Sequence, residues 1–305
     1  MLVAPERVLN LYRLYVFYAV ARSLSFSEAA EKLHTSQPNV SKHVRLLENE
    51  LGTALFDRLG IRVALTDAGR IVYDYTERIF SVSGEMHRAL DELQGLERGY
   101  LRLGASSTPG LYILPLLVAS FWKYHPGLEI TLELGNSQEI VEKTLNNKLD
   151  LGFVEGYETA PGIQSQPLVP DKLVVIAAHV SPLAGKSRVS ATDLEAETFI
   201  WREKGSGTRE AMAHLLTTLG ITPRGFLELY SCEGVKRGVA AGLGISLVSR
   251  RSIEQELTQK ILAILEGSGL SAERVINIVA HKDVRPSAAT LAFIAHIRKT
   301  GHSFL

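Results

Sequence analysis

Val72, Tyr75, Ile79, Val82, Met86, Ala89 and Leu93 recur alternately three and four positions apart, the spacing of a heptad seam on one helix. Thr66 is placed to cap that helix, which is expected to run to about Leu93. At 1.5 Å per residue, roughly 28 residues make a rod of about 42 Å, too long to be buried inside one small domain. A chain carrying such a rod has to be built as separate units on either side of it, and a second copy of the chain would cover the seam. A homodimer through this helix is therefore expected, with Gly95 and Gly99 bracketing a hinge at its end.

Before the rod the chain is dense in short helical patterns. Leu14, Phe17, Tyr18 and Ala21 define a first helix over about residues 11–22. Ser27 is placed to cap a second, over SEAAEKLH, where Ala29 and Ala30 allow close approach of a neighbour. Ser36 caps a third, with Pro38 in its first turn and Gly52 ending it after Leu51. Val40, Val44, Leu47 and Leu51 form the core stripe of this third helix, while Pro38, Ser41, Lys42, Arg45 and Asn49 fall on the opposite side. Residues 55–58 and 61–65 read as two short strands around Leu59-Gly60, flanked by Arg58 and Arg62.

A helix, a turn, a second helix with a cationic face and a hairpin with paired arginines make a winged helix-turn-helix. Gln37, Pro38 and Ser41 lie where side chains reach base edges in the major groove: glutamine reads adenine, and proline offers apolar contact to a thymine methyl. Ser36, Lys42, Arg45, Arg58 and Arg62 suit phosphates, which position the protein without reading sequence. For any single residue here, an ordinary solvated helix face is as good an account; the arrangement as a whole favours double-stranded DNA. His34 and His43, in the same segment, read as surface residues.

After the rod, strands alternate with helices, the pattern of α/β architecture. Strands are expected at YLRLGAS, LEITLELGN, DLGFVEG, KLVVIAA, TFIWR, GFLELYS, GISLVS and RVINIVAH. Two stretches with a similar rhythm suggest two lobes and a ligand cleft where strand ends and helix starts converge. The expected division is a DNA-binding domain over residues 1–66, a linker and dimerisation helix with hinge over 67–98, and an effector domain over 99–305. Within the last, lobe I takes 99–168 and 273–305, and lobe II takes 169–272.

Composition sets limits on partners. The 33 Lys plus Arg balance 33 Asp plus Glu, so any basic surface is local rather than global. A single cysteine, Cys232, excludes an intramolecular disulfide, and the absence of a signal-like N-terminus or a membrane-length apolar run leads to a cytoplasmic expectation without membrane partners. No cofactor and no metal site is expected. The histidines show no metal-ligand spacing, GSGTR lacks the Lys-Ser/Thr ending of a phosphate-binding P-loop, and no nucleophile elbow is present. The chain is accordingly not expected to be an enzyme.

The run SFSEAAEKLHTSQPNVSKHVRLLENELGTALFDRLGIRVALTDAGR resembles the N-terminal domain of LysR-type transcriptional regulators segment for segment. The resemblance extends over the whole chain, its specificity concentrated in residues 14–70. It implies an all-α-type winged helix-turn-helix joined by a linker helix to an α/β sensor of two Rossmann-like lobes, shaped like a periplasmic solute-binding protein. It also implies an oligomer, most often a tetramer, that acts on promoter DNA, with RNA polymerase a further candidate partner. The residues before Leu11 depart from the family's usual start.

Two turns in the sensor carry the second signal. One strand ends in Ser106-Ser107-Thr108-Pro109-Gly110; another leads through Arg202, Glu203 and Lys204 to Gly205-Ser206-Gly207-Thr208-Arg209, and each opens a helix. Hydroxyls and free backbone N–H groups at a helix start bind anions, reinforced by the helix dipole. Two such turns across a cleft would hold a small carboxylate, sulfur oxyanion or phosphate, with Arg202 or Arg209 adding charge. The resemblance places an effector pocket at Ser106 to Thr108. GSGTR is similar to the subset of the family concerned with sulfur assimilation and carbon fixation, which implies an inorganic or phosphorylated anion. Asn136, Gln138 and Glu155 are further candidates for the same cleft, each also readable as a cap or loop residue. The alternative from another class is a solute-binding or enzymatic α/β protein whose N-terminal helices serve only for assembly.

Overall fold

The computed structural model describes residues 9–59, 62–92, 99–156 and 160–304. The chain divides between His87 and Arg88 into two compact units.

In the first unit, α1 (Leu11–Ser23) is capped by Asn10, whose side chain accepts from the Arg13 N–H at 3.1 Å. It ends at Leu24, which is left-handed (φ 49°) and returns its N–H to the Val20 carbonyl. That turn places Ser25 in extended conformation, so Ser25 rather than Ser27 caps α2 (Phe26–Lys32). The helix starts two residues earlier than expected because Phe26 is drawn onto Phe56, ring centroids 5.5 Å apart. Helix α3 (Gln37–Leu51) follows the sequence reading, with Pro38 in its first turn and Gly52 (φ 69°) at its end. Val40, Val44 and Leu47 are fully buried against Leu14, Phe17, Val20, Ala29 and Leu55.

Strands β1 (Phe56–Leu59) and β2 (Arg62–Leu65) pair antiparallel. The base of this hairpin is fixed by Glu48 Oε1, which accepts from the Leu55 and Phe56 N–H groups at 2.9 and 3.3 Å. The expected turn at Gly60, and the side chains of Arg58 and Arg62, lie outside the described residues. Thr66 Oγ1 accepts from the Gly69 N–H (2.9 Å) and donates to the Ala54 carbonyl (2.8 Å), capping α4 (Asp67–Glu92). Val72 and Ile79 turn inward onto the first unit's core. Ile71, Tyr75, Val82 and Met86 are exposed. Of the five described seam residues, two thus pack within the chain and three stay open; Leu93 and the Ala89 side chain lie outside the described residues.

The second unit is a two-lobed α/β body. In one lobe, β3 (Gly99–Ala105) pairs in parallel with β4 (Leu128–Leu134) and β5 (Leu151–Glu155). Helices α5 (Ser107–Tyr112), α6 (Leu114–Trp122), α7 (Ser137–Leu145) and α12 (Ala288–Phe304) cover the sheet. Its core joins Leu103, Leu117, Phe121, Phe153 and Phe293.

The other lobe holds the parallel pair β7 (Thr198–Trp201) and β8 (Gly225–Glu228), with β9 (Ser246–Ser249) and β10 (Leu262–Ile264). Helices α8 (Ala191–Glu195), α9 (Gly207–Leu219), α10 (Cys232–Ala240) and α11 (Glu254–Thr258) complete it. Two long antiparallel strands, β6 (Ile163–Ala178) and β11 (Ser271–His281), run through both lobes. Val169 and Ile276 lie in the first lobe's core, Leu173 in the second's.

The expected strand KLVVIAA covers only the second half of β6; the first half, IQSQPLVPD, contains two prolines. The prolines fit because β9 joins β6 only from Leu173 onward, so the first half of β6 pairs with β11 alone. Proline is tolerated on an edge where no ladder N–H is required.

A Cβ on Gly69 would lie 2.1 Å from the Leu55 carbonyl oxygen, where α4 crosses the hairpin base. Gly69→Ala is expected to destabilise the first unit by roughly 1–3 kcal/mol, as overpacking against backbone does. Thermal unfolding of the variant should show a lowered first transition; an unchanged profile would show that the helix start can shift freely.

Candidate functional site

The first candidate surface is the outer face of α3. Gln37, Pro38, Lys42, Arg45 and Asn49 are exposed and Ser41 is half-buried, opposite the buried stripe. Ser36 occupies the N-cap position but makes no side-chain cap bond, so its exposed hydroxyl is not engaged by its own helix. Gln37 Nε2 donates to Ser41 Oγ at 3.0 Å, which holds the two proposed base-reading side chains together. Among the described residues, Lys42 and Arg45 have no ion-pair partner. His43 departs from the expected surface position: its ring meets Tyr12 edge-on at 5.0 Å and its Nδ1 is buried without a partner. His34 is exposed as expected.

The second candidate site lies between the lobes and is organised by a residue the sequence reading missed. Arg274, on β11, is nearly fully buried and pairs with Asp171 at 2.8 Å and with Glu155 at 3.3 Å. Its Nη2 donates to Thr108 Oγ1 (3.2 Å) and its Nη1 to Thr208 Oγ1 (2.9 Å). One guanidinium therefore touches both hydroxyl turns. The signal in the sequence was a single arginine at the head of the run VINIVA.

The two turns differ in what they leave open. At the start of α5, Glu155 Oε1 already accepts from the Thr108 N–H at 2.8 Å. Burial would raise the Glu155 pKa, but Arg274 and the Thr108 hydrogen bonds hold it below the ordinary glutamate value, so the carboxylate stays charged. Ser107 is half-buried, and Ser106 binds the Phe153 carbonyl through its N–H at 2.8 Å. At the start of α9, the Ser206 hydroxyl is buried with no partner, and it makes no bond to its own helix. The first N–H groups of any helix have no intrahelical acceptor.

Close contacts bring the lobes together at this turn. A Cβ on Gly207 would lie 2.2 Å from the Glu155 carbonyl oxygen. The Gln138 N–H donates to the Gly205 carbonyl at 3.1 Å, with Gly205 at φ 84°. Asn136 caps α7 through Glu139 and also reaches the Lys204 carbonyl at 3.4 Å. The Gln138 side chain is exposed and donates to Glu142.

The cations named from sequence are both engaged. Arg202 gives Nε and Nη2 to the two oxygens of Glu203, each at 2.7 Å, and both residues are buried. Burial would lower the Arg202 pKa, but Glu203 raises it further, so the guanidinium stays charged. Arg209 Nη1 bonds Glu228 and the Arg202 carbonyl, each at 2.6 Å, and its guanidinium lies over the Trp201 ring.

A further cross-lobe cluster went unread in the sequence. Buried Lys236 donates to Tyr112 Oη (3.0 Å) and to the Ser252 carbonyl (2.7 Å), and pairs with Glu233 and Glu256 at 2.7 and 2.6 Å. Glu233 lies one helical turn away, but Tyr112, Ser252 and Glu256 are too far along the chain for a local motif to reveal them. Neighbouring Cys232 is buried, and burial pushes its thiol pKa up, away from the reactive thiolate.

Comparison with known proteins bears on both sites. Residues 11–70 match the model described as "Bacterial regulatory helix-turn-helix protein, lysR family", and residues 94–301 match "LysR substrate binding domain". The chain is 40% identical over 284 residues to the RuBisCO operon transcriptional regulator of Allochromatium vinosum, covering 93% of this chain and 94% of that one. It is similar to the regulatory domain of Synechocystis CcmR solved in complex with 2-PG, at TM-score 0.62 and 34% identity over 67% of this chain and 97% of that one. Full-length CbnR complexed with its target DNA matches at TM-score 0.73 and 25% identity, over 96% of this chain and 100% of that one. These matches include the N-terminal segment as a DNA-binding domain, so the alternative in which those helices only mediate assembly is not favoured. The chain belongs to the LysR family of DNA-binding transcriptional regulators, in the part of it that includes regulators of carbon fixation, and it is not an enzyme.

Proposed function

We propose that the chain reads a promoter through the outer face of α3 and responds to a small anion bound at the α9 turn between the lobes. Gln37, Pro38 and Ser41 contact base edges; Ser36, Lys42 and Arg45, with Arg58 and Arg62 of the hairpin, hold phosphates. The observation that carries the effector half is the buried, unpartnered Ser206 hydroxyl at the start of a 13-residue helix. A buried hydroxyl without a partner costs about 1–3 kcal/mol, and an oxyanion there would satisfy it together with the helix N–H groups. Thr208, Arg202 and Arg274 supply the remaining polar wall, and the CcmR domain solved with 2-PG supports a small-molecule occupant of this kind of domain.

The lobes are taken as 99–168 with 273–305, and 169–272, turning about β6 and β11. Anion binding shifts the balance between more and less closed arrangements, which is the quantity a regulator must transmit to its DNA-reading helices. The open part of the α4 seam, Tyr75, Val82 and Met86, is the proposed dimer contact. A tetramer, contact with RNA polymerase and a cytoplasmic site of action follow from the family reading. Among the described residues no helix is long and apolar enough to cross a membrane.

Gel shifts with the intergenic DNA beside the gene test the reading face. The double change Gln37→Ala with Ser41→Ala should lower discrimination between that DNA and random DNA. Arg45→Ala should weaken both about equally and reduce the slope of log affinity against log salt by about one. Equal binding of both DNAs by the unaltered protein at every salt concentration would remove the specific-reader claim. Val82→Glu with Met86→Glu should shift the sedimentation mass toward monomer; an unchanged mass would place the dimer contact elsewhere.

A further inference from the structure

The Arg202–Glu203 pair is an unusual use of charge at a turn. The two residues are adjacent, both are buried, and the guanidinium fork grips both carboxylate oxygens at 2.7 Å. That is the geometry with which arginine holds an external oxyanion. Among the described residues, the Glu203 carboxylate has no partner but Arg202. Burying such a pair brings little net stability, because desolvation offsets the attraction.

Its location adds a second observation. Glu203 accepts the Ser206 N–H on its own carbonyl at 3.3 Å, so the pair and the unpartnered Ser206 hydroxyl share one tight turn. Arg202 also lies close enough to Glu155 to help keep that carboxylate charged. The buried charges around the turn are thus Arg202 and Arg274 against Glu155, Asp171 and Glu203, an excess of one negative charge. An anion entering this arrangement unchanged would be repelled.

We infer, resting on the anion reading of the α9 turn, that Glu203 is a resident counter-anion which the effector displaces from Arg202. In the exchange the Arg202–Glu203 ion pair breaks, the oxyanion takes the fork, and the Glu203 carboxylate turns to water. The exchange sets the ligand class. A one-charge carboxylate only replaces like with like, against a competitor whose tether gives it a high effective concentration. A dianionic tetrahedral oxyanion, of the phosphate-ester or sulfate type, presents one edge to Arg202 and keeps charge and oxygens for Ser206, Thr208 and the α9 N–H groups. Glu203 is then a specificity-determining residue.

Isothermal titration of the full chain with sodium phosphate, sulfate and formate, at constant ionic strength, tests this. The unaltered protein should bind phosphate or sulfate and not formate. Glu203→Gln removes the resident charge while keeping the shape, and should tighten phosphate binding at least about tenfold, as a freed charge-assisted site does, and admit formate. Glu203→Asp keeps the charge with a looser fork and should tighten it less, a readout that stands if the glutamine variant fails to fold. Phosphate binding in the unaltered chain that both variants leave unchanged or weaken would overturn the counter-anion role alone. Absence of phosphate and sulfate binding in all three proteins would overturn the anion reading of the α9 turn as well.

Discussion

The sensor unit is organised around one buried guanidinium. Arg274 cannot be buried without compensation, since an isolated charge in a protein interior is far costlier than any single hydrogen bond is worth. Its compensation comes from Asp171 on the neighbouring crossing strand, Glu155 at the end of β5, and one hydroxyl from each of α5 and α9. Satisfying the arginine therefore draws the starts of two helices from different lobes onto a strand that both lobes share. The close approach of Gly207 to the Glu155 carbonyl belongs to the same arrangement. A change in the polar balance here is felt by both lobes at once.

Charge in the other unit follows a different logic. The chain has no net charge, yet the outer face of α3 presents Lys42 and Arg45 without counter-ions among the described residues. The acidic residues nearby are used elsewhere: Glu48 fixes the hairpin base and Glu50 pairs with Arg13 at 2.8 Å. Local basicity is thus made by committing the carboxylates to structure rather than by adding cations. The heptad seam of α4 is divided in a comparable way. Val72 and Ile79 anchor the helix to the first unit's core, while Tyr75 and Val82 remain for another surface.

What was legible in the sequence is what is decided within a few residues. Pro38 and Gly52 bound α3, Thr66 caps α4, and Val40, Val44 and Leu47 of the α3 stripe are buried as its period requires, with Leu51 half-buried at its end. Where two local solutions were equally good, packing chose between them: in Ser25-Phe26-Ser27 either serine is a sound cap, and Phe26 settled on Phe56 selects the first. The first half of β6 was hidden because it contains Pro167 and Pro170, residues that argue against a strand unless it lies on an edge. Arg274 and Asp171 are 103 positions apart, and Lys236 and Tyr112 are 124 apart. No spacing rule connects such pairs, although an arginine at the head of the run VINIVA marks one member of the first.

The turns at Ser106 and Ser206 look alike as strings, each a strand end followed by hydroxyls, glycine and a helix, and the sequence assigns them the same role. The folded chain separates them. The first is occupied by a carboxylate of its own lobe, since Glu155 takes the Thr108 N–H, and it opens a helix of only 6 residues. The second opens a helix of 13 residues, and its capping hydroxyl is buried and idle. A shared motif thus yields one turn whose Thr108 N–H is taken by Glu155 and one turn whose serine hydroxyl has no partner. The asymmetry arises from which carboxylates the surrounding strands deliver, and that is information the motif itself does not contain.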